Sequence, residues 1–240
     1  MTDPASEGAK AAQEIAKTTG KGIDAAREAG GFIAKYIHGP LEQASAIWTD
    51  KLKYTRWERQ VALMQRANSK LAELGMSQPT QAIPLKIAIP LLQEGSMEED
   101  DYLQDRWANL LVNAANADSG IEVRATYIGM LREMTSLDVR ILASIYSHPV
   151  APGRKGAVWI GDLPNSTRPA HELDDMDNTH PELPEDVALS VENLQRLGCI
   201  APWHGFAGSI YYNRMLHTAL GTGFVRACSF STKRRPQAVA

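Results

Sequence analysis

MEEDDYLQDRWANLLVNAANADSGIEVRATYIGMLREMTSLDVRILASIY, Met97 to Tyr146, carries three consecutive apolar faces at helical spacing. Leu103, Trp107, Leu110, Leu111 and Ala114 fall at i, i+4, i+7, i+8 and i+11, on one side of a 3.6-residue helix. Glu98, Glu99, Asp100 and Asp101 crowd its first turn, where the positive end of the helix dipole favours them. After the turn signal Asn116-Ala-Asp-Ser-Gly120, residues Val123, Tyr127, Leu131 and Met134 repeat the pattern. Thr135 then stands three residues before Asp138, a capping-box arrangement with Asp in the usual Glu position. Leu137, Ile141, Leu142 and Ile145 carry the third helix toward a stop at Pro149. Three short-linked helices of this kind hide their apolar faces only against one another or against a further segment.

N-terminal to this stretch, Gly39-Pro40 opens a longer helix from Leu41 to Leu74, with Gly75 as its C-cap. Its mixed run Lys51 to Arg59 reads as a solvated face with buried aromatics rather than a base-stacking platform. Between Ser77 and Pro90, three prolines forbid one regular helix through the whole segment. Ile83, Leu85, Ile87 and Ile89 alternate as in an extended segment laid over the bundle, while Pro90 could equally begin a short helix with Leu91 and Leu92. Upstream again, residues 5–38 are rich in Ala, Gly and Lys. There Gly22, Ala26, Gly30 and Ala34 form a ridge of small residues four apart, a candidate for self-association or membrane contact. Asp24, Arg27, Glu28 and Lys35 interrupt any membrane-inserting face, and a loosely packed helix explains the same residues.

Beyond Pro149 the texture changes. Residues 150–184 are polar and punctuated by Gly and Pro, with Ala157-Val-Trp-Ile160 as the only strand-like run. A helix is predicted from about Pro184 to Leu197, then a hairpin of Cys199–Trp203 with Ile210–Asn213, then a closing helix from Thr218 to Cys228 carrying Leu220, Phe224 and Ala227 inward. This order is that of a winged-helix unit. The expected fold is therefore mainly α: a helical bundle followed by a small winged-helix-like α+β unit with a two-stranded wing. The expected division is 1–75 (N-terminal helices), 76–135 (central helical core), 136–230 (winged-helix-like unit) and 231–240 (basic tail).

Composition bounds the function. With 240 residues, 44% hydrophobic and 22% charged, the chain is an ordinary globular one, and its net charge of −3 offers no global attraction to nucleic acid. Two cysteines, Cys199 and Cys228, imply no disulfide framework and fit a reducing compartment. No run approaches the ~18 apolar residues of a membrane span, and the N-terminus lacks a signal-peptide pattern. A cytoplasmic location is the expectation. His171, Asp174, Asp175, Asp177 and His180 are metal-capable, but their spacing matches no metal motif and reads as a solvated acidic loop. No phosphate-cradling loop, nucleophile elbow or placed acid–base pair is present in the pattern. No enzyme activity and no cofactor are expected.

The stretches Asp101-Tyr-Leu-Gln-Asp-Arg-Trp-Ala-Asn-Leu-Leu-Val-Asn-Ala-Ala115 and Tyr127-Ile-Gly-Met-Leu-Arg-Glu-Met-Thr-Ser-Leu-Asp-Val-Arg-Ile-Leu142 resemble the abortive-infection alpha proteins of bacteria. Members look similar in their acidic lead-in, their Ala-Asn-Leu-Leu core and a closing Leu-Gly-x-x-Phe helix, matched by Leu220-Gly-Thr-Gly-Phe224. The chain departs at Met134-Thr-Ser-Leu-Asp138, where the family's usual Pro and Leu are missing. The resemblance implies an anti-phage protein without enzyme activity, acting through an unidentified protein partner, phage-encoded or cellular, with self-association into a homo-oligomer left open. The polar residues of the central helix, Arg106, Asn109 and Asn113, are the candidate partner contacts. Two alternatives stay open. One is a membrane-perturbing effector working through the Gly/Ala segment. The other is a DNA-binding regulator using Asn193, Arg196 and the tail Lys233, Arg234 and Arg235, although Glu185, Asp186 and Glu192 on the same helix oppose phosphate.

Overall fold

Trp107 to Ala115 are nine successive buried residues, so the central helix is enclosed on every side rather than along one stripe. This helix, Asp101–Ala115, is α3 of a computed structural model that describes residues 57–149, 157–170, 181–204 and 208–230. The small-residue ridge Gly22 to Ala34, the helix N-terminal to Trp57, the loop His171 to His180 and the tail Lys233 to Arg235 lie outside the described residues.

Around α3 stand α1 (Trp57–Glu73), α2 (Leu85–Gly95), α4 (Ala125–Arg132), α5 (Ser136–Tyr146), α6 (Glu185–Arg196) and α7 (Ala219–Ala227). α1 and α2 pack directly on α3 from the N-terminal side, and α5 and α7 from the other. One contiguous apolar cluster runs from Leu63 to Cys228. Burying Trp107, Leu110 and Leu111 completely contributes about 2 kcal/mol each by transfer from water.

The helix ends follow the chemistry of their sequences. Asp100 caps α3 by accepting from the backbone N–H groups of Leu103 and Tyr102 at 3.0 and 2.8 Å, and these bonds hold its carboxyl below the usual carboxylate range. Thr135 and Asp138 form a reciprocal capping box: Asp138 N–H donates to Thr135 Oγ1 at 3.2 Å and Thr135 N–H to Asp138 Oδ2 at 2.7 Å. α1 closes in a Schellman turn with Gly75 at φ +73°, Met76 N–H donating to Leu71 O and Gly75 N–H to Ala72 O. Gly198, at φ +71°, closes α6 in the same way.

Two expectations are corrected. Residues 83–90 are not an extended strap. Pro84 stands at the N-cap of α2, and Pro90 lies inside that helix, which buries Ala88, Leu91 and Leu92 and leaves Leu85 exposed. The alternation of Ile83, Leu85, Ile87 and Ile89 arises because a short two-sided helix places apolar residues on both its inner face and its flank. The wing, too, is larger than two strands. β3 (Ile200–His204) and β4 (Ile210–His217) pair as a hairpin, but β1 (Ala157–Trp159) adds to the other edge of β4, and β2 (Arg168–Ala170) adds to β1. The result is a four-stranded antiparallel sheet ordered β2-β1-β4-β3, with Val158 opposite Met215 and Ala201 opposite Leu216. Its two prolines, Pro169 and Pro202, sit on the two edge strands, where no ladder donor is required on the outer side. The molecule is mainly helical with this small sheet at its C-terminal side.

α7 lies so close to its neighbours that two of its positions admit no side chain. A Cβ at Gly221 would run into the Cys199 carbonyl and the Tyr146 hydroxyl, and one at Gly223 into the Tyr127 hydroxyl. The Leu220-Gly-Thr-Gly-Phe224 motif is thus a contact surface in which Phe224 fills the core and the glycines admit backbone and phenol oxygens. We expect Gly221→Ala to destabilise the fold by about 3 kcal/mol, because backbone must shift. Gly129→Ala, in the middle of α4 with open space around it, should stabilise by about 0.5–1 kcal/mol. Denaturant unfolding of both variants checks the pair.

Candidate functional site

α3 directs two kinds of polar residue away from α1. Asn109 and Asn113 are buried and face the end of α7. Asn109 Nδ2 donates to Cys228 O at 2.9 Å, while Asn113 Nδ2 donates to Ala227 O at 2.7 Å and Ser229 O at 3.0 Å. The neighbouring carbonyls are taken locally: Ser229 Oγ donates to Val225 O, and Ser229 N–H to Arg226 O. A helix leaves its last carbonyls unpaired, and two asparagines one and two turns along α3 supply the missing donors. Asn109 and Asn113, expected to meet a partner, are instead internal clamps.

Arg106, the third of those candidates, is half-buried. Its guanidinium lies over the Tyr102 ring at 4.5 Å from the centroid, and Arg140 of α5 approaches the same ring at 5.2 Å. Arg106 Nε is buried and has no hydrogen-bond partner. Among the described residues neither arginine forms a salt bridge, in contrast to Arg59 with Glu99, Arg66 with Asp101 and Asp105, and Lys70 with Asp105 along the α1–α3 contact. Of these, Arg66, Lys70 and Asp105 line an open groove of about 370 Å³ with Ala62, Gln65, Ser69 and Glu73. Exposed pairs of this kind add ~0–1 kcal/mol each and leave the groove a solvated seam.

The two residues of α6 expected to read DNA are committed within the fold. Asn193 Nδ2 donates to Glu133 O at 3.0 Å and to Asp138 Oδ2 at 3.1 Å. Arg196 pairs with Glu133 at 2.7 Å, and that bond holds the Glu133 carboxyl below its ordinary value. What α6 turns outward is Glu185, Asp186, Leu189, Glu192 and, at its last position, the Glu133-paired Arg196, and Leu189 keeps 60% of its surface exposed.

Among the described residues the titratable groups are placed for structure. Tyr146 Oη donates to Cys199 O at 2.7 Å and accepts from Thr218 N–H at 3.2 Å, and burial pushes its pKa up. His217 stacks on Tyr146 at 4.0 Å and donates from Nε2 to the Ile145 carbonyl at 3.0 Å, since a carbonyl only accepts. His148 Nε2 lies 3.0 Å from both the Thr167 carbonyl and its hydroxyl. Because the carbonyl requires a donor, Nε2 carries its proton and is not placed as a base toward Thr167. Cys199 and Cys228 are free buried thiols; burial pushes Cys199 up to about 12 and Cys228 higher, so neither is a nucleophile at neutral pH.

A family model described as abortive infection alpha matches residues 58–228. The chain belongs to the abortive infection alpha family. No curated protein and no solved structure matches it significantly. The matched span begins in α1 and ends at Cys228, the residue held by Asn109, so the abortive infection alpha region coincides with the set of elements gathered around α3. Membership points to a role in abortive infection. Among the described residues, no helix of this abortive infection alpha protein is long and apolar enough to cross a membrane. Tyr102 and Arg140 did not enter the sequence reading. Tyr102 stands four residues before Arg106, a helical neighbour visible in the pattern, whereas Arg140 comes from another helix and no local spacing announces it.

Asn113→Ala should cost about 2–3 kcal/mol and Asn109→Ala about 1–2 kcal/mol, because each leaves buried carbonyls of α7 without donors. Hydrogen exchange should show the loss first in α7. The half-buried His217 supplies a pH dependence. Burial is the main cause lowering its pKa below 6.5, opposed by its bond to Ile145 O and assisted by His148. The unfolded chain therefore binds the proton more readily. The contribution is fully present above about pH 6.5 and declines as pH falls through that value toward the lower folded pKa. Unfolding free energies at pH 7.5 and 5.5 should differ less in His217→Gln than in the unaltered chain; Asp100 and Glu133, whose pKa values are lowered, contribute below this window.

Proposed function

We propose that this chain is a non-enzymatic anti-phage protein that acts in abortive infection by binding another protein, phage-encoded or cellular, and that the outer face of α6 is where the partner is met. The observation that carries the reading is Leu189: a large aliphatic side chain 60% exposed on a helix face where Glu185, Asp186 and Glu192 surround it and Arg196, paired with Glu133, stands at the far end. Exposed leucine ringed by carboxylates suits a protein segment with an apolar side chain flanked by Lys or Arg. It opposes a nucleic acid, whose continuous phosphates would meet three carboxylates on the helix that a winged-helix protein would lay in the groove. Asn193 and Arg196 support the same direction, since reading bases would require breaking their bonds to Glu133 and Asp138.

Leu189→Asp, and separately Glu185→Lys with Glu192→Lys, should leave the melting temperature within about 2 °C, because surface substitutions shift stability by only ~0.5 kcal/mol. Both should abolish protection in a phage plating assay in a host where the unaltered chain protects. Unchanged protection in either variant would remove α6 from the mechanism. Salt-dependent retention of the unaltered chain on duplex DNA would instead favour a regulator.

A further inference from the structure

The geometry points to a carboxylate-binding site between α3 and α5, where Arg106 and Arg140 share the ring of Tyr102. Two guanidinium groups lie 4.5 and 5.2 Å from one ring centroid; among the described residues neither forms a salt bridge, and Arg106 Nε is buried without a hydrogen-bond partner. Buried or half-buried charges are normally paired, and Arg106, whose Nε is removed from solvent with no acceptor, departs from that rule. The negative groups nearest the pair are already in use. Asp100, which acts on Arg140 through space, spends its carboxylate on the backbone N–H groups of Tyr102 and Leu103. Asp101 and Asp105 pair toward α1, and Cys228, which faces Arg106, is a neutral thiol. An incoming carboxylate therefore finds two cations, both against one aromatic ring, that no salt bridge among the described residues neutralises.

The ligand is an acidic side chain of a protein partner rather than a nucleic acid strand. Glu98, Asp100 and Asp101 crowd the turn just before Tyr102, so a polyanion extending past the arginine pair in that direction would meet carboxylates. One or two carboxylates fit between these limits. This inference rests on the protein-binding reading and names a second contact for it, of opposite charge preference to α6.

The test uses the full-length chain and the amidated peptide Gly-Glu-Glu-Gly with an uncharged fluorophore on its N-terminal amine, the unlabelled competitor being N-acetylated instead, at low ionic strength and read by fluorescence polarisation. The unaltered chain should bind, and Arg140→Gln should weaken binding about tenfold. Arg140 is exposed, so this variant folds. Arg106→Gln should weaken binding at least as much, and Arg132→Gln on α4 should change it less than twofold. Inorganic phosphate at the same concentration should not displace the peptide. Absence of binding, an unchanged affinity in Arg140→Gln, or stronger competition by phosphate than by unlabelled peptide would overturn the assignment. Peptide binding that survives while α6 variants still protect against phage would overturn the proposed role of α6 and not this site.

Discussion

A helix buried around its whole circumference cannot carry free polar side chains, and that constraint on α3 organises the rest of the molecule. Asn109 and Asn113 have to find acceptors inside the protein, and they find them in the carbonyls that α7 leaves over at its C-terminal end. Each element answers the other: the asparagine Nδ2 groups find acceptors and the end of α7 is capped without a glycine turn, although Asn109 Oδ1 is buried without a partner among the described residues. The arrangement also fixes distance and direction. Only one placement of α7 brings Ala227, Cys228 and Ser229 to donors spaced four residues apart on α3, so the polar contact specifies what apolar packing alone leaves loose.

That placement propagates into the sheet. With its C-terminal end held by α3, α7 presents Gly221 and Gly223 to the hydroxyls of Tyr146 and Tyr127, and its N-cap Thr218 to the carbonyls of Gly198 and Cys199. Tyr146 joins these parts, since its hydroxyl touches β3 through Cys199 O and α7 through Thr218 N–H while its ring stacks on His217 of β4. Asp138 plays the same part at the other end of α5. It caps its own helix and accepts from Asn193 of α6, which ties the start of α5 to the end of α6. The sheet and α6 thus meet the bundle through α5, whose two ends are each fixed by a polar junction, while α7 reaches α3 directly.

Local chemistry made much of this legible. The Thr135–Asp138 box, the acidic lead into α3, the stop at Gly75 and the inward Phe224 are all determined within a few residues, and each stands where the pattern places it. What stayed hidden is set by residues far apart. Counting apolar positions on α3 finds one stripe, because Asn109 and Asn113 look like its polar side; their partners lie 119 and 114 residues away. β2 is three residues with a central proline and mostly exposed, so it carries no alternation to detect. α2 was ambiguous because a proline inside a helix and a proline at its start leave the same trace in sequence. Of the candidate contacts, Arg106 remains at the surface and the two asparagines do not, a difference decided by where α7 ends.

Charge then separates the two faces that the fold leaves available. On α6, three carboxylates surround an exposed leucine; beside α3, two guanidiniums surround a tyrosine. Each face offers an apolar or aromatic body with a few charges of one sign, and neither extends into a continuous field. At physiological salt a charge is felt over about 8 Å, so such faces discriminate by contact and not by long-range steering. A chain with a net charge of −3 has no general pull on polyanions to overcome that limit. Recognition at the two proposed faces would therefore depend on shape and on a small number of charges, the mode in which a single substitution at Leu189 or Arg140 would carry a large share of the binding free energy.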